Sequence, residues 1–553
     1  MERSWDDEVD VLVVGTGAAG LSAAVAASDA GAKVLLVEGT DRWGGTTMRS
    51  GGGLWMPANP LMARDGVEDS AEKALTYLDA VVEDAGPATS PARKRAFVEA
   101  VPEVVTSLET HGVRWVRATD YPDYYPEQPG GMVGRSIEAQ AFDTRRLGTW
   151  IKYSRMNDGG MPLPLRTDDV WLLARAWSSP SGFVRGARFV GRTLGSLVRG
   201  QRPAGIGAAL VCSLMQVVRT QGTPVLLSTP LVELVVEDDA VVGAVLGGPT
   251  GRRTVRTRGG VVIAAGGFAH RTEWREKYHG VPGWSAAADG DLGTGIEAGV
   301  AAGGTLALMD DAWWGAGVAN EEGMNGFVLS ERSMPYSILV DQHGQRYTNE
   351  SASYIDFGHA MLEHDRTTPS IPSWLVLDSR ARRRYLFTIA PSGTKKLEKA
   401  GTLVVADTLE DLARLLHMEP AQLAATVERF NGFARTGVDE DFHRGDSLYD
   451  RYYGDPGVRP NPNLGPIERG PFTAVKIVPG DLGTKGGLLT DEHGAVLRED
   501  LSPVPGLYAA GNSTAAVMGR TYPGPGSTIG PAVVFGYLGA RHAASRAVVT
   551  AAP

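Results

Sequence analysis

The stretch from residue 9 to residue 38 limits what this chain can fold into more than any other. Val9, Val11, Leu12, Val13 and Val14 make a short apolar run rich in β-branched residues, which reads as a buried strand. It runs directly into Gly15-Thr16-Gly17-Ala18-Ala19-Gly20, the spacing G-x-G-x-x-G. A helix of small residues over 21–29 follows, then a second strand over 33–37, closed by Glu38. Each part has a job in holding a dinucleotide. Gly15 permits the tight turn, Gly17 lets main chain approach a pyrophosphate, and Gly20 lets the helix pack against the strand. The helix start at Ala18 and Ala19 offers free N–H groups to phosphate, and Glu38 can accept from a ribose 2′-OH. Glycines alone would mean only a turn. With strand, helix, strand and terminal acid in order, the segment predicts nucleotide binding.

The bulk numbers narrow the rest. A chain of 553 residues, 43% hydrophobic and 21% charged, has room for two or three domains with sizeable cores. A net charge of −10 argues against a nucleic-acid partner. The single cysteine, Cys212, rules out an intrachain disulfide, a cysteine-built metal site and a dithiol pair. The first residues are acidic and the first apolar run is needed by the fold, so no signal peptide is expected. No apolar stretch reaches membrane-spanning length. The expected location is cytoplasmic.

Further glycine clusters follow: Trp43-Gly44-Gly45-Thr46-Thr47, then Ser50-Gly51-Gly52-Gly53-Leu54-Trp55-Met56-Pro57. This GG-[ST] turn with its SGGG[LI]W-P continuation resembles flavoproteins of the fumarate reductase and 3-ketosteroid dehydrogenase group. The resemblance implies that Gly44, Gly45, Thr46, Thr47, Ser50, Gly51 and Gly52 line the pyrophosphate and isoalloxazine of FAD. Some members of the group carry a histidine here that bonds covalently to the flavin. Thr46 and Thr47 stand in this chain, so noncovalent FAD is expected. The apolar run 261–268, with Ala265 and Gly266, resembles the strand that returns to the cofactor, and Gly511 and Asn512 sit at a similar strand end. Near Leu308 glycine density falls and aromatic content rises. The implied fold is α/β: a Rossmann-like, glutathione-reductase-type FAD-binding domain over 1–308 and 481–553. An α+β catalytic domain over 309–480 is inserted into it. Within 335–359 the pattern reads as strand, turn at 341–344, and strand.

The most specific piece is Thr521-Tyr522-Pro523-Gly524-Pro525-Gly526-Ser527-Thr528-Ile529-Gly530-Pro531-Ala532, which resembles 3-ketosteroid Δ1-dehydrogenases. The implied reaction is FAD-dependent 1,2-desaturation of a 3-oxo steroid, with Ser527, Thr528 and Ile529 at the cofactor. Removing hydride from C1 and a proton from C2 requires donors at the C3 oxygen, where enolate charge develops. The Tyr522 O–H and the Gly526 N–H can supply them. A base must reach C2. Tyr354, in the Asn349-Glu350-Ser351-x-x-Tyr354 stretch, is the candidate, with Tyr336 its competitor. Tyr124, preferred over Tyr125 because it follows Pro122-Asp123, would hydrogen-bond to Tyr354 and help carry the proton away. Flavin N5 takes the hydride, and an external electron acceptor, a quinone being the candidate, completes the cycle.

The enzyme alternatives are a Δ4-(5α)-3-ketosteroid dehydrogenase and a fumarate-reductase-like flavoprotein. Arg520 lies near the right place for the second, but a tyrosine loop replaces the histidine-containing pattern. The non-enzyme alternative is a silent flavin- or lipid-binding scaffold, against which the intact tyrosines argue. His359 and His364 share an expected helix with no third ligand nearby, so they read as surface histidines and no metal is expected.

Residues 170–203 hold Arg175, Arg185, Arg188, Arg192, Arg199 and Arg202 and no acid. As a helix over 181–202, Arg185, Arg188, Arg192 and Arg199 share one sector. Phe183, Val190, Leu194, Leu197 and Val198 lie opposite, and Trp171 and Trp177 lie upstream. Such a pattern fits either a helix docked on the core or a basic amphipathic helix at an anionic membrane surface. The second reading predicts peripheral attachment to the inner face of the cell membrane.

Overall fold

The computed structural model describes residues 4–320, 323–390 and 393–551. Two sheets organise the chain. The first has the order Ala495–Leu497, Pro503–Ala509, Arg253–Ile263, Asp7–Val14, Val34–Val37, Val225–Leu226, with Leu231–Glu237 and Ala240–Leu246 as an antiparallel extension. We label Asp7–Val14 β1, Val34–Val37 β2 and Arg253–Ile263 β3. β1 pairs in parallel with β2 and with β3, as βαβ connections require. Between β1 and β2 runs helix α1, Ala18–Asp29, whose residues 18–27 are all buried. An all-small helix is what lets a second helix approach it closely. Ile529–Ala551 does so: a Cβ on Gly536 would collide with the Ala19 carbonyl, and Ser22 Oγ donates to the Val533 carbonyl at 2.8 Å.

The second sheet has the order Gly323–Phe327, Ala312–Asn320, Phe472–Thr484, Ser373–Leu377, Ser337–Val340. Its long strand Phe472–Thr484 also pairs with Leu403–Ala406 and Trp284–Ser285. Helices Leu409–Leu415 and Pro420–Thr436 form one apolar layer with this sheet, through Leu412, Leu423, Val427 and Phe430. The helix Tyr354–Asp365, labelled α4 below, is buried against it through Phe357 and Met361. The expected second strand after the 341–344 turn is not formed. Arg346 there turns inward to pair with buried Glu350 and Asp439, at 2.8 and 2.9 Å, and helix α4 follows instead.

The arginine-rich segment forms two helices, α2 (Thr167–Leu172) and α3 (Pro180–Val198). Their orientation overturns one of the two sequence readings, docking on the core through the apolar face. Arg185 and Arg192 face the protein and pair with Asp168 and Asp169, which immediately precede the acid-free stretch. The apolar side faces out: Phe183, Val184, Val190, Leu194, Leu197 and Val198 are all exposed. So is Trp177, at 75%; the Trp171 side chain lies outside the described residues. The segment is not docked through its apolar face. No helix among the described residues is long and apolar enough to cross a membrane.

Candidate active site

One cavity reaches from the ends of β1 and β2 to the tyrosines. Its nucleotide half is made of main chain. Gly15 has φ +109°, and a Cβ there would collide with the Ala264 carbonyl; one on Gly20 would collide with the Gly15 carbonyl. Gly17 caps α1 in extended conformation, with Thr47 Oγ1 3.7 Å from where a Cβ would stand. Gly15, Gly17, Ala18, Ala19, Glu38, Gly45, Thr46, Thr47, Ser50, Gly51 and Gly52 line the cavity, as do Ala265, Gly266, Gly511, Asn512, Thr528 and Ile529. Gly20, Gly44 and Ser527 are not in the lining. Gly44 N–H donates to Thr16 Oγ1 at 3.0 Å, and Ser527 Oγ bonds the Gly524 main chain, so these two hold the wall from behind. Glu38 accepts from the amides and hydroxyls of Thr16 and Thr40.

Asp291 carries no signal in the sequence and is a cavity-lining residue that only the structure reveals. It is wholly buried against Gly266 and accepts from Thr46 Oγ1 at 3.2 Å. Burial pushes its carboxyl up to about 6. Thr167, at the start of α2, was also missed; it lines the cavity beside the flavin loop.

The other half is made of side chains from three distant segments. Tyr124, Tyr354 and Tyr522 are buried and line the cavity together with Gly526 and Phe327. Ring centroids lie 4.8 Å apart for Tyr354–Tyr522, 5.2 Å for Tyr124–Tyr522 and 5.6 Å for Tyr124–Tyr354. Thr528 Oγ1 lies 3.4 Å from the Tyr522 hydroxyl, and the Tyr354 hydroxyl and the Gly526 main chain are among the groups that hold its pKa down against burial. Tyr522 and Gly526 are thus neighbouring potential donors on the tyrosine side of the cavity wall. Gly526 can stand there only as glycine: its φ is +98°, and a Cβ would collide with the Gly53 carbonyl. The expected Tyr124–Tyr354 hydrogen bond is replaced. Tyr354 packs on Tyr522, while Tyr124 meets Tyr354 edge to face and packs tilted against Tyr121 with centroids 6.5 Å apart. Burial pushes all three phenols up, Tyr354 and Tyr124 furthest, whereas donors from Thr528, Tyr354 and Gly526 partly offset burial at Tyr522.

The competitors fall away on geometry. Tyr336 is absent from the cavity wall, packing instead on Gly465 beneath Arg380. Tyr125 donates to Asp356 at 2.9 Å, away from the cavity. The tyrosine loops are tied together through Pro523, whose carbonyl accepts from Tyr124 N–H at 2.8 Å and from the Tyr77 hydroxyl at 2.6 Å. Asp123 fixes the same loop by accepting from Trp55 Nε1 and pairing with buried Arg135, each at 2.8 Å.

Arg520 is spent on Asp310 at the surface. His359 and His364 are not free surface groups: they bond buried Asp311 and Asp341, at 2.8 and 3.0 Å. No cluster of three metal-ligating side chains occurs among the described residues.

A βαβ unit whose glycine turn and two helix N-termini open on the same cavity defines an FAD-dependent flavoprotein. The chain belongs to that family: residues 10–529 match the model of the FAD binding domain. It is 43% identical to the 3-oxosteroid 1-dehydrogenase of Mycolicibacterium smegmatis over 98% of both chains. It is 36% identical to the 4-oxocyclohex-2-ene-1-carboxylate 5-dehydrogenase of Sinomonas cyclohexanicum, over 97% of this chain and 93% of the relative. The crystal structure of 3-ketosteroid delta1-dehydrogenase from Sterolibacterium denitrificans, in complex with 1,4-androstadiene-3,17-dione, matches with a TM-score of 0.90. That match covers 98% of this chain and 100% of that one at 35% identity. The chain is an FAD-binding oxidoreductase.

Proposed function

We propose that the chain desaturates the C1–C2 bond of 3-oxo steroids, with noncovalent FAD as hydride acceptor. The observation that carries the reading is that Tyr522 and Gly526 line one cavity side by side with Tyr354 and Tyr124. The Tyr522 O–H and the Gly526 N–H hold the C3 oxygen and stabilise enolate charge as it develops. Tyr354 takes the C2 proton, and Tyr124 packs edge-on against it. FAD, when bound, supplies the electron sink. Threonines at 46 and 47 give it no histidine to bond, so acid precipitation should release all flavin into the supernatant; a yellow pellet would contradict this. Quinone is the proposed acceptor class.

A second reading, desaturation of a small oxocyclohexane carboxylate, rests on the Sinomonas relative. A carboxylate calls for a cation. The charged lining residues Glu38, Arg49, Arg155 and Asp291 belong to the nucleotide side, and the tyrosine half has none. Steady-state rates with 4-androstene-3,17-dione and with 4-oxocyclohexanecarboxylate decide the matter. The steroid should be preferred by at least about 10²-fold in kcat/KM, as two apolar or mismatched groups allow; the reverse preference would replace the steroid reading.

The outward apolar face of α3 supports peripheral membrane contact. Thr167, at the head of α2, lines the cavity, and Asp168 next to it holds Arg185 of α3. Helix α3 is therefore anchored next to the cavity by its arginine side, with its apolar face turned outward. Arg188, Arg199 and Arg202 remain exposed for anionic headgroups. Deleting 171–202 should abolish sedimentation with anionic liposomes and leave FAD bound; no sedimentation of the intact protein at low salt would end the idea.

A further inference from the structure

The segment Gly483-Thr484-Lys485-Gly486-Gly487 closes the long strand Phe472–Thr484, and Lys485 within it is wholly buried. Burying an ammonium costs free energy unless its partners are in place. The main chain is fixed first: Lys485 N–H donates to the Asp311 carbonyl, and the Lys485 carbonyl accepts from Ala516 N–H, each at 3.1 Å. The side chain then meets three groups. Its Nζ donates to the Thr521 carbonyl at 3.1 Å, lies 3.3 Å from Asp311 Oδ2, and sits 4.7 Å from the Trp313 ring centre. Asp311 is the counter-charge. Its other oxygen accepts from Trp314 Nε1 at 2.9 Å and lies 2.8 Å from His359 Nε2.

The remaining two contacts both lead to Tyr522. Thr521 precedes it in the chain, and among the described residues Lys485 is the one donor to the Thr521 carbonyl. Trp313 meets the Tyr522 ring edge-on, with centroids 5.3 Å apart. Tyr522 itself stands in irregular backbone, with no helix or strand ladder to hold it. Its place is set by its neighbours. On one side is Pro523, whose carbonyl accepts from Tyr124 N–H and the Tyr77 hydroxyl; on the other is Thr521, fastened by the ammonium. A hydrogen bond from a charged donor is stronger than one from a neutral donor. Lys485 is absent from the cavity wall, so it acts through Tyr522 and not on the substrate.

We propose that Lys485 is a positioning residue that clamps Tyr522 as the carbonyl donor, an inference that rests on the steroid reading. The rival role for the same side chain is support of the cofactor turn, because Trp313 Nε1 also donates to cavity-lining Asn512 at 3.1 Å.

The test uses the double variant Lys485→Met/Asp311→Asn, which removes both charges and keeps an acceptor oxygen for Trp314 and His359. In the FAD-loaded protein without steroid, 3-fluorotyrosine placed at position 522 reports its own surroundings, and its fluorine resonance should shift or broaden in the double variant. With steroid, kcat should fall by roughly 10- to 10²-fold, the scale of a group displaced by about 1 Å. KM should stay within about twofold, as for an interaction made in the transition state. The same double change made on Tyr522→Phe should cost less than about twofold, since the hydroxyl through which it acts is gone. Where the double variant does not retain FAD, Lys485→Gln, neutral and shorter, carries both readouts. An unmoved resonance, or an equal loss of kcat with and without the Tyr522 hydroxyl, overturns the proposal. So does loss of FAD in both variants, which assigns Lys485 to the cofactor turn. A moved resonance in a protein that does not turn over steroid sinks the substrate reading alone.

Discussion

At the nucleotide end of the cavity the wall is main chain, whereas at the tyrosine end it is side chain, and the two ends fail differently. Gly15 and Gly20 sit where a single Cβ would strike a carbonyl. Tyr124, Tyr354 and Tyr522 leave their backbones in ordinary loops and a helix start, and only their rings meet. Damage at the first end should therefore remove the cofactor. Damage at the second should leave cofactor bound and remove turnover.

The largest effect expected is on the main-chain end. Gly15→Val, in a left-handed turn pressed on the Ala264 carbonyl, should yield no FAD-loaded protein; a variant that purifies yellow with a normal 450 nm band would break the contrast. At the other end, Tyr354→Phe and Tyr522→Phe should each lower kcat by roughly 10²–10³, the scale for loss of an oxyanion donor. Both should keep the flavin. Loss of FAD in either would blur the contrast, and near-normal turnover in Tyr354→Phe would remove it as the base.

A subtler effect sits at the seam. Glu138 Oε2 lies 2.7 Å from Thr167 N and 2.9 Å from Thr167 Oγ1, while that same hydroxyl lies 2.7 Å from the Gly51 carbonyl. Thr167 thus offers its N–H to Glu138 and its hydroxyl to both Glu138 and the Gly51 carbonyl. Burial pushes Glu138 up to about 8, which favours the protonated carboxyl at neutral pH. A carboxyl raised in the folded state contributes stability that is full below its ordinary 4.5 and lost as pH rises through about 8. The melting temperature should fall by on the order of 2–4 °C between pH 5 and pH 9 through this group, and Glu138→Gln should flatten that fall. An unchanged pH dependence in the variant would remove Glu138 as its source.

The same contrast explains what could be read from the chain. Main-chain walls announce themselves locally: strand, glycines and acid occupy thirty consecutive positions, and Gly526 stands in a motif with Tyr522. Gly20 packs helix on strand as its place in the motif implied, but Gly44 and Ser527 hold the wall from behind, because spacing does not say which way a residue faces. The Tyr124, Tyr354 and Tyr522 positions came from motif resemblance. Their partners Tyr121, Tyr449 and Tyr453 carry no local signal, since a buried hydroxyl cluster is assembled from segments more than 300 residues apart. Helix α3 shows the converse failure. Its amphipathic period was legible, but the side that faces the protein was set by Asp168 and Asp169 outside the repeat.

The most direct measurement of the central claim is anaerobic addition of 4-androstene-3,17-dione to the FAD-loaded protein, with the flavin band and the steroid product followed together. Bleaching with one equivalent of a 1,4-diene is the predicted result. An unbleached flavin, or bleaching with a double bond elsewhere than C1–C2, would contradict the account.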